Sequence, residues 1–153
     1  MASPEECARL VLETVPMVMR VIRKEMRSHR ESDLSVPQFR VLIYLNRNEG
    51  ASLSDVADYL GLTLPAMSKM VSGLVERNLV NRRIDAGDRR YVILAPTERG
   101  RALMRKAYEI TQSRLAERLA TLPAFGRTTV IQAMGALESI FARDPKAETA
   151  TEK

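Results

Sequence analysis

One cysteine, one histidine and no tryptophan occur in the 153 residues, and each scarcity closes off a class of chemistry. A lone Cys7 permits neither an internal disulfide nor a cysteine-cluster zinc site. A lone His29 leaves no histidine pair for a metal. Nucleophilic catalysis wants a Ser or Cys beside a histidine base and an orienting acid. Cys7 and His29 lie about 33 Å apart along one straight helix at 1.5 Å per residue, so they cannot meet there. No glycine-rich phosphate loop is present. The chain is expected not to be an enzyme and to carry no cofactor and no metal. Aromatic residues make up only 5%, which argues against a single-strand binder built on stacked bases. No apolar run approaches the roughly 18–20 residues that span a bilayer. The opening "MASPEECARL" is acidic where a secretory signal is positive. The expectation is a soluble cytoplasmic protein that does not enter a membrane.

What is present is a mild basic excess: 24 Lys and Arg against 19 Asp and Glu, a net charge of +5 and a pI near 9.7. That permits a nucleic-acid partner without establishing one. Residues 6–30 carry apolar positions on two helical stripes, so this segment reads as a helix buried on more than one side, kinked or offset at Pro16. Its end is basic, as suits a helix C-terminus. "SVPQFRVLIYLNRNEG" (35–50) reads as a helix capped by Ser35 with Phe39, Leu42, Ile43 and Leu45 on its core side. In "SLSDVADYLG", Ser52 and Asp55 form an acidic capping box, Leu53, Val56, Ala57 and Leu60 make one stripe, and Gly61 stops the helix. "TLPAMSKMVSGLVERNL" (63–79) follows, capped by Thr63, with Leu64, Met67, Met70, Val71, Leu74 and Val75 as its buried side. Beyond "RRIDAGDRRYVILAPTERG", a helix is expected from Thr97 and Glu98 to about Leu119. "LPAFG" (122–126) breaks the pattern, a last helix covers roughly 127–142, and residues 143–153 read as a frayed tail.

A short helix, a glycine-containing break and a second helix are the sequence form of a helix-turn-helix. Two β-rich runs around Asp-Ala-Gly-Asp then read as a β-hairpin. The expected fold class is mainly α with a small β-hairpin, an α+β winged helix-turn-helix with added helices. In such a unit the second helix enters the major groove and its N-terminal residues reach base edges. Between its buried positions stand Thr63, Pro65, Ala66, Ser68, Lys69 and Ser72, small or donor-bearing with one cation. At the hairpin, residues two apart in a strand share a face, so Asp88 is expected to hold Arg90 in one rotamer. An arginine oriented in this way suits a narrow minor groove. Arg89 points the other way, toward phosphate, and Arg82 and Arg83 lie lower on the first strand as further phosphate contacts. Ordinary surface roles compete with each assignment, since an exposed Asp–Arg pair adds only about 0–1 kcal/mol of stability. A winged helix used purely as a protein-protein adaptor would need no four arginines there.

The stretch "LVNRRIDAGDRRYVILAPTERGRAL" resembles the wing of the MarR family of bacterial transcriptional regulators. The segment from "VPQFRVLIYLNR" through "GLVERNLVNR" is similar to that family's helix-turn-helix. Asn78 stands where glycine is usual, and Ala95-Pro96-Thr97 replaces the common Leu-Thr. The resemblance covers residues 7–142. It implies a homodimer whose first and last two helices interlock, with residues 1–34 and 97–142 as the dimerisation region and 35–96 as the DNA-binding domain. It also implies binding of double-stranded DNA at a palindromic operator, commonly in repression, and control by a small lipophilic or phenolic effector lodged between dimer helices and winged helix. Met17, Met19 and Met26 could lend such a pocket adaptable walls. An N-terminal cysteine senses peroxide in some relatives, but Cys7 has only Arg9 as a nearby cation and reads as an inert thiol.

Overall fold

Side-chain oxygens placed one residue before a helix account for most of the helix starts. In the computed structural model, which describes residues 1–28 and 33–142, the order is α1 (Pro4–Ser28), α2 (Val36–Arg47), α3 (Leu53–Leu60), α4 (Leu64–Glu76), β1 (Val80–Ile84), β2 (Val92–Pro96), α5 (Glu98–Leu119) and α6 (Ala124–Phe141). The Ser3 hydroxyl accepts from the Glu6 N–H at 3.1 Å. Ser35 and Gln38 form a full capping box at α2, and Ser52 and Asp55 do the same at α3. The Thr63 hydroxyl accepts from the Ala66 N–H, and the Thr97 hydroxyl from the Gly100 N–H at 2.9 Å. Each bond satisfies an amide that a helix terminus otherwise leaves open. Gly61 ends α3 at φ +68, a left-handed turn that glycine adopts without a Cβ penalty.

The chain forms two units, residues 1–114 and 115–153. In the first, Val41, Leu42, Val56, Met67, Val71, Leu74, Leu79, Val80 and Leu94 are almost wholly buried, so α2, α3, α4 and both strands meet in one core. The strands are antiparallel, with Val80 opposite Pro96 and Ile84 opposite Val92. Ser52 bridges Ile93, and the Leu94 N–H donates to the Ala51 carbonyl at 2.9 Å. The chain entering α3 thus adds one rung to the outer edge of β2, a feature without a sequence signal in so short a stretch.

Several expectations change. The helix expected over residues 6–30 starts earlier, at Pro4, and Pro16 lies inside it. It is also not buried on two sides: Met26 is its one buried residue among those described, and Leu12, Val15, Met17 and Val18 are exposed. The single chain packs only the C-terminal part of this helix, through Ile22 and Met26, into the core. In α2, Val41 is buried, while Phe39 and Ile43 are half-buried. The fourth helix stops at Glu76, because Asn78 takes φ +56 and turns the chain so that Leu79 and Val80 enter the core. Asparagine tolerates this left-handed geometry better than other side chains with a Cβ, which accounts for Asn78 where the resemblance wants glycine. Leu64 of the expected buried stripe is exposed.

In the second unit, α6 starts at Ala124, earlier than the expected 127, because Pro123 itself occupies the N-cap position and only the residues before it interrupt the helices. No α6 residue is buried; Val130 and Leu137 are half-buried, and Met134 and Phe141 of the same stripe are exposed. No helix among the described residues is long and apolar enough to cross a membrane. His29 and the expected tail at 143–153 lie outside the described residues.

Candidate nucleic-acid interface

The turn between α3 and α4 positions the first group of candidate residues. The Leu62 N–H returns to the Ala57 carbonyl at 2.9 Å, and Thr63 caps the next helix. Met67, Val71 and Leu74 then anchor one side of α4 in the core. The opposite side is left to solvent: Thr63, Pro65, Ala66 and Lys69 are exposed, while Ser68 and Ser72 are half-buried. That face is narrow, and Lys69 is its one cation among α4 residues.

The hairpin supplies the second group. Arg82 pairs across the ladder with Leu94 and shares a strand face with buried Val80, whereas Arg83 sits opposite Ile93 on the other face. The two arginines therefore diverge. Arg82 extends toward α4, where its Nη2 donates to the Ser72 Oγ at 3.4 Å. This joins recognition helix and wing, and neither residue's spacing announced it. Arg83 and Arg89 are exposed.

Asp88 and Arg90 meet, but not for the expected reason. Neither is in a strand: β1 ends at Ile84 and β2 begins at Val92. The residues 88–91 form a β-turn closed by the Tyr91 N–H donating to the Asp88 carbonyl at 3.0 Å. The Asp88 carboxylate also accepts from the Arg90 backbone N–H at 3.0 Å, an Asx-type turn in which an aspartate side chain substitutes for backbone. The same carboxylate takes the guanidinium through Nε at 3.0 Å and Nη2 at 2.8 Å. One aspartate fixes both the turn and the side chain it carries. The Arg90 hydrogen bonds hold the Asp88 carboxyl below its usual range, and Asp88 in return raises the Arg90 guanidinium. The Arg90 side chain remains 86% exposed, so the guanidinium is oriented and still presented outward.

Residues that build the site without touching its surface escaped the sequence reading. The Asn78 carbonyl accepts from the Thr97 hydroxyl at 2.7 Å, and the Leu79 carbonyl accepts from the Thr97 N–H at 3.0 Å. Thr97 thereby closes the base of the hairpin. Gly100, one turn into α5, passes so near the Leu79 carbonyl that a Cβ there would overlap it. The sole signal for this in the sequence was the Thr-x-x-Gly spacing of "TERG".

A hollow of about 220 Å³ lies between α2 and α5, lined by Ile43, Asn46, Arg47, Met104, Arg105, Tyr108 and Glu109. Met17 and Met19 do not line it. Met26 lines a different hollow, beside Asp33 and Arg77. Cys7 is exposed.

The MarR family model matches residues 32–90, from just before α2 to the wing tip. A relative from Mycobacterium bovis, an uncharacterized HTH-type transcriptional regulator, is 33% identical over 116 residues, covering 75% of this chain and 80% of its own. A second, from Bacillus subtilis, also an uncharacterized HTH-type transcriptional regulator, is 29% identical over 105 residues; these are 69% of this chain and 66% of that relative's length. Two solved structures are of the transcriptional repressor CouR. Bound to a 23-mer DNA duplex, it is 25% identical with a TM-score of 0.70, covering 91% of this chain and 99% of its own. The protein from Rhodococcus jostii bound to p-coumaroyl-CoA is 28% identical with a TM-score of 0.69, covering 94% and 98%. With the helix-turn-helix, the wing and these similarities in agreement, the chain belongs to the MarR family of winged helix-turn-helix transcriptional regulators, which bind DNA.

Proposed function

We propose that the protein is a repressor that binds a palindromic operator as a homodimer and is released by a small-molecule effector. Arg90, oriented by Asp88, enters the minor groove; the observation that carries this is the doubly bonded Asp88–Arg90 turn at the exposed wing tip. Lys69 and Ser68 lead the major-groove contacts, Thr63 adds a hydroxyl at the helix start, and Pro65 and Ala66 allow close approach. Arg83 and Arg89 meet phosphates. Arg82 does so from a position shared with Ser72, whose hydroxyl ties wing to helix. Supporting the homodimer, α1 and α6 each leave an apolar face uncovered, more than lone chains usually expose. Two such recognition helices would sit one turn of B-DNA apart, about 34 Å. The DNA-bound form of CouR supports the operator reading, and its p-coumaroyl-CoA complex supports an effector. The hollow between α2 and α5, with Ile43, Met104 and Tyr108 beside Arg47 and Arg105, suits a small phenolic or lipophilic compound. An effector acts only as far as it favours one spacing of the recognition helices over another.

The test is binding of wild type and Arg90→Ala to DNA from immediately upstream of the protein's own coding sequence, over a salt series. Wild type should bind tightly with a steep salt slope, near −0.9 per phosphate neutralised. Loss of the arginine should weaken specific binding about 10- to 100-fold with the helical content unchanged. Binding no better than to random sequence would remove autoregulation. No binding to any DNA at low salt would leave the protein-protein adaptor instead.

A further inference from the structure

Leu64 does not fit the stripe to which it belongs by spacing. Met67, Val71 and Leu74 on that side of α4 are fully buried, and Met70 and Val75 pack against the core, yet Leu64 is 48% exposed. It is the first residue of the helix, directly after the Thr63 cap, so the core that receives the later turns ends before reaching it. Its neighbour Leu62, also at the turn, precedes the cap, where an apolar side chain commonly packs on the fourth helical residue. Position one has no comparable structural role. Here it would otherwise favour a polar side chain.

In a helix lying in the major groove, the N-terminal residues come nearest the base edges. Of the four bases, thymine alone places an apolar group there, its 5-methyl, and apolar side chains recognise it by contact. The residues after Leu64 are Pro65 and Ala66, both exposed and both without a side-chain donor, so the first turn offers the groove an apolar surface. Beyond the Thr63 hydroxyl at the cap, the next polar side chains come one turn later, at Ser68 and Lys69. We infer that Leu64 is a specificity-determining residue that reads the 5-methyl group of a thymine in each operator half-site. The inference rests on the operator-binding reading above and adds a base and an atom to it.

The experiment begins by finding the operator. DNA sites are selected from a random duplex library with the intact protein, and each thymine of the selected half-site is replaced in turn by deoxyuridine, which removes only the methyl. At one thymine per half-site the replacement should weaken wild-type binding about fourfold, the effect of exposing one methyl-sized apolar group. Leu64→Ala should bind the unmodified site about fourfold or more weakly, bind random DNA as wild type does, and lose its sensitivity to that deoxyuridine. Full wild-type affinity at every deoxyuridine would overturn the assignment without use of any variant. So would a Leu64→Ala protein as methyl-sensitive as wild type, or selected half-sites that contain no thymine. Failure to select any DNA would remove the operator reading itself, whereas a selected site indifferent to methyl removal discards only the role of Leu64.

Discussion

Asp88 shows how one side chain can do two tasks at a hairpin tip. Its carboxylate closes the turn through the Arg90 N–H and holds the Arg90 guanidinium. The pH dependence follows from the direction of its shift. Arg90 lowers the Asp88 value, so whatever the pair contributes is present above the usual aspartate value of about 3.9 and is lost as pH falls through the lower folded value. Arg90, raised further, stays charged throughout. Asp88→Asn keeps an oxygen for the turn but loses the charge, so it should bind operator DNA less tightly than wild type by a ratio that is constant from pH 6 to pH 8. Parallel titrations at fixed ionic strength measure that ratio. A ratio that changes tenfold across this interval would show another group in control.

At the scale of elements, what matters is how wing and recognition helix are held to one another. Two links do this, one midway along β1 and one at the base of the hairpin. Arg82 reaches Ser72 on α4, and Thr97 ties the end of β2 to the Asn78 and Leu79 carbonyls that follow α4. The second link requires α5 to start against the backbone at Leu79, which Gly100 makes feasible. A methyl there meets backbone rather than a side chain that can rotate away. Gly100→Ala therefore should destabilise the unit of residues 1–114 by about 1–3 kcal/mol, the usual range for overpacking, despite alanine's better helix propensity. Urea denaturation followed by helix signal gives the value. A midpoint equal to or above that of wild type would mean that α5 can shift without loss.

For the molecule as a whole, α1 and α6 each leave large apolar side chains to solvent. Leu12 is 75% exposed and Ile131 73%, and each stands on a helix with further exposed apolar residues. Burial of such side chains contributes roughly 1.5–3 kcal/mol each, which a second copy of the chain could supply. A charge placed at either position would have to be desolvated in that interface. Leu12→Asp and Ile131→Asp should each shift the mass seen by sedimentation from twice the chain mass toward the 17.2 kDa of one chain, and weaken operator binding with it. A wild type that sediments as one chain at micromolar concentration would refute the homodimer.

Local patterns were legible in the residues. Ser35, Ser52 and Thr63 start their helices as their positions suggest, Gly61 stops α3, and α5 runs to Leu119 as expected, because capping and turn formation depend on neighbours within four residues. The hairpin was legible for the same reason, and so was the pairing of Asp88 with Arg90, although a turn rather than strand alternation produces it. Periodicity, by contrast, states which side chains could share a face and not whether anything lies against that face. For this reason the sequence alone misjudged the burial of α1 and the fate of Leu64. The rung between Ser52 and Ile93, the Arg82–Ser72 link and the close approach of Gly100 to Leu79 join segments 10 to 41 positions apart. Sequence by itself determined the helix starts at Ser35, Ser52 and Thr63, the hairpin and the family; tertiary structure alone decided which apolar faces are covered, because burial depends on what long-range packing brings against them.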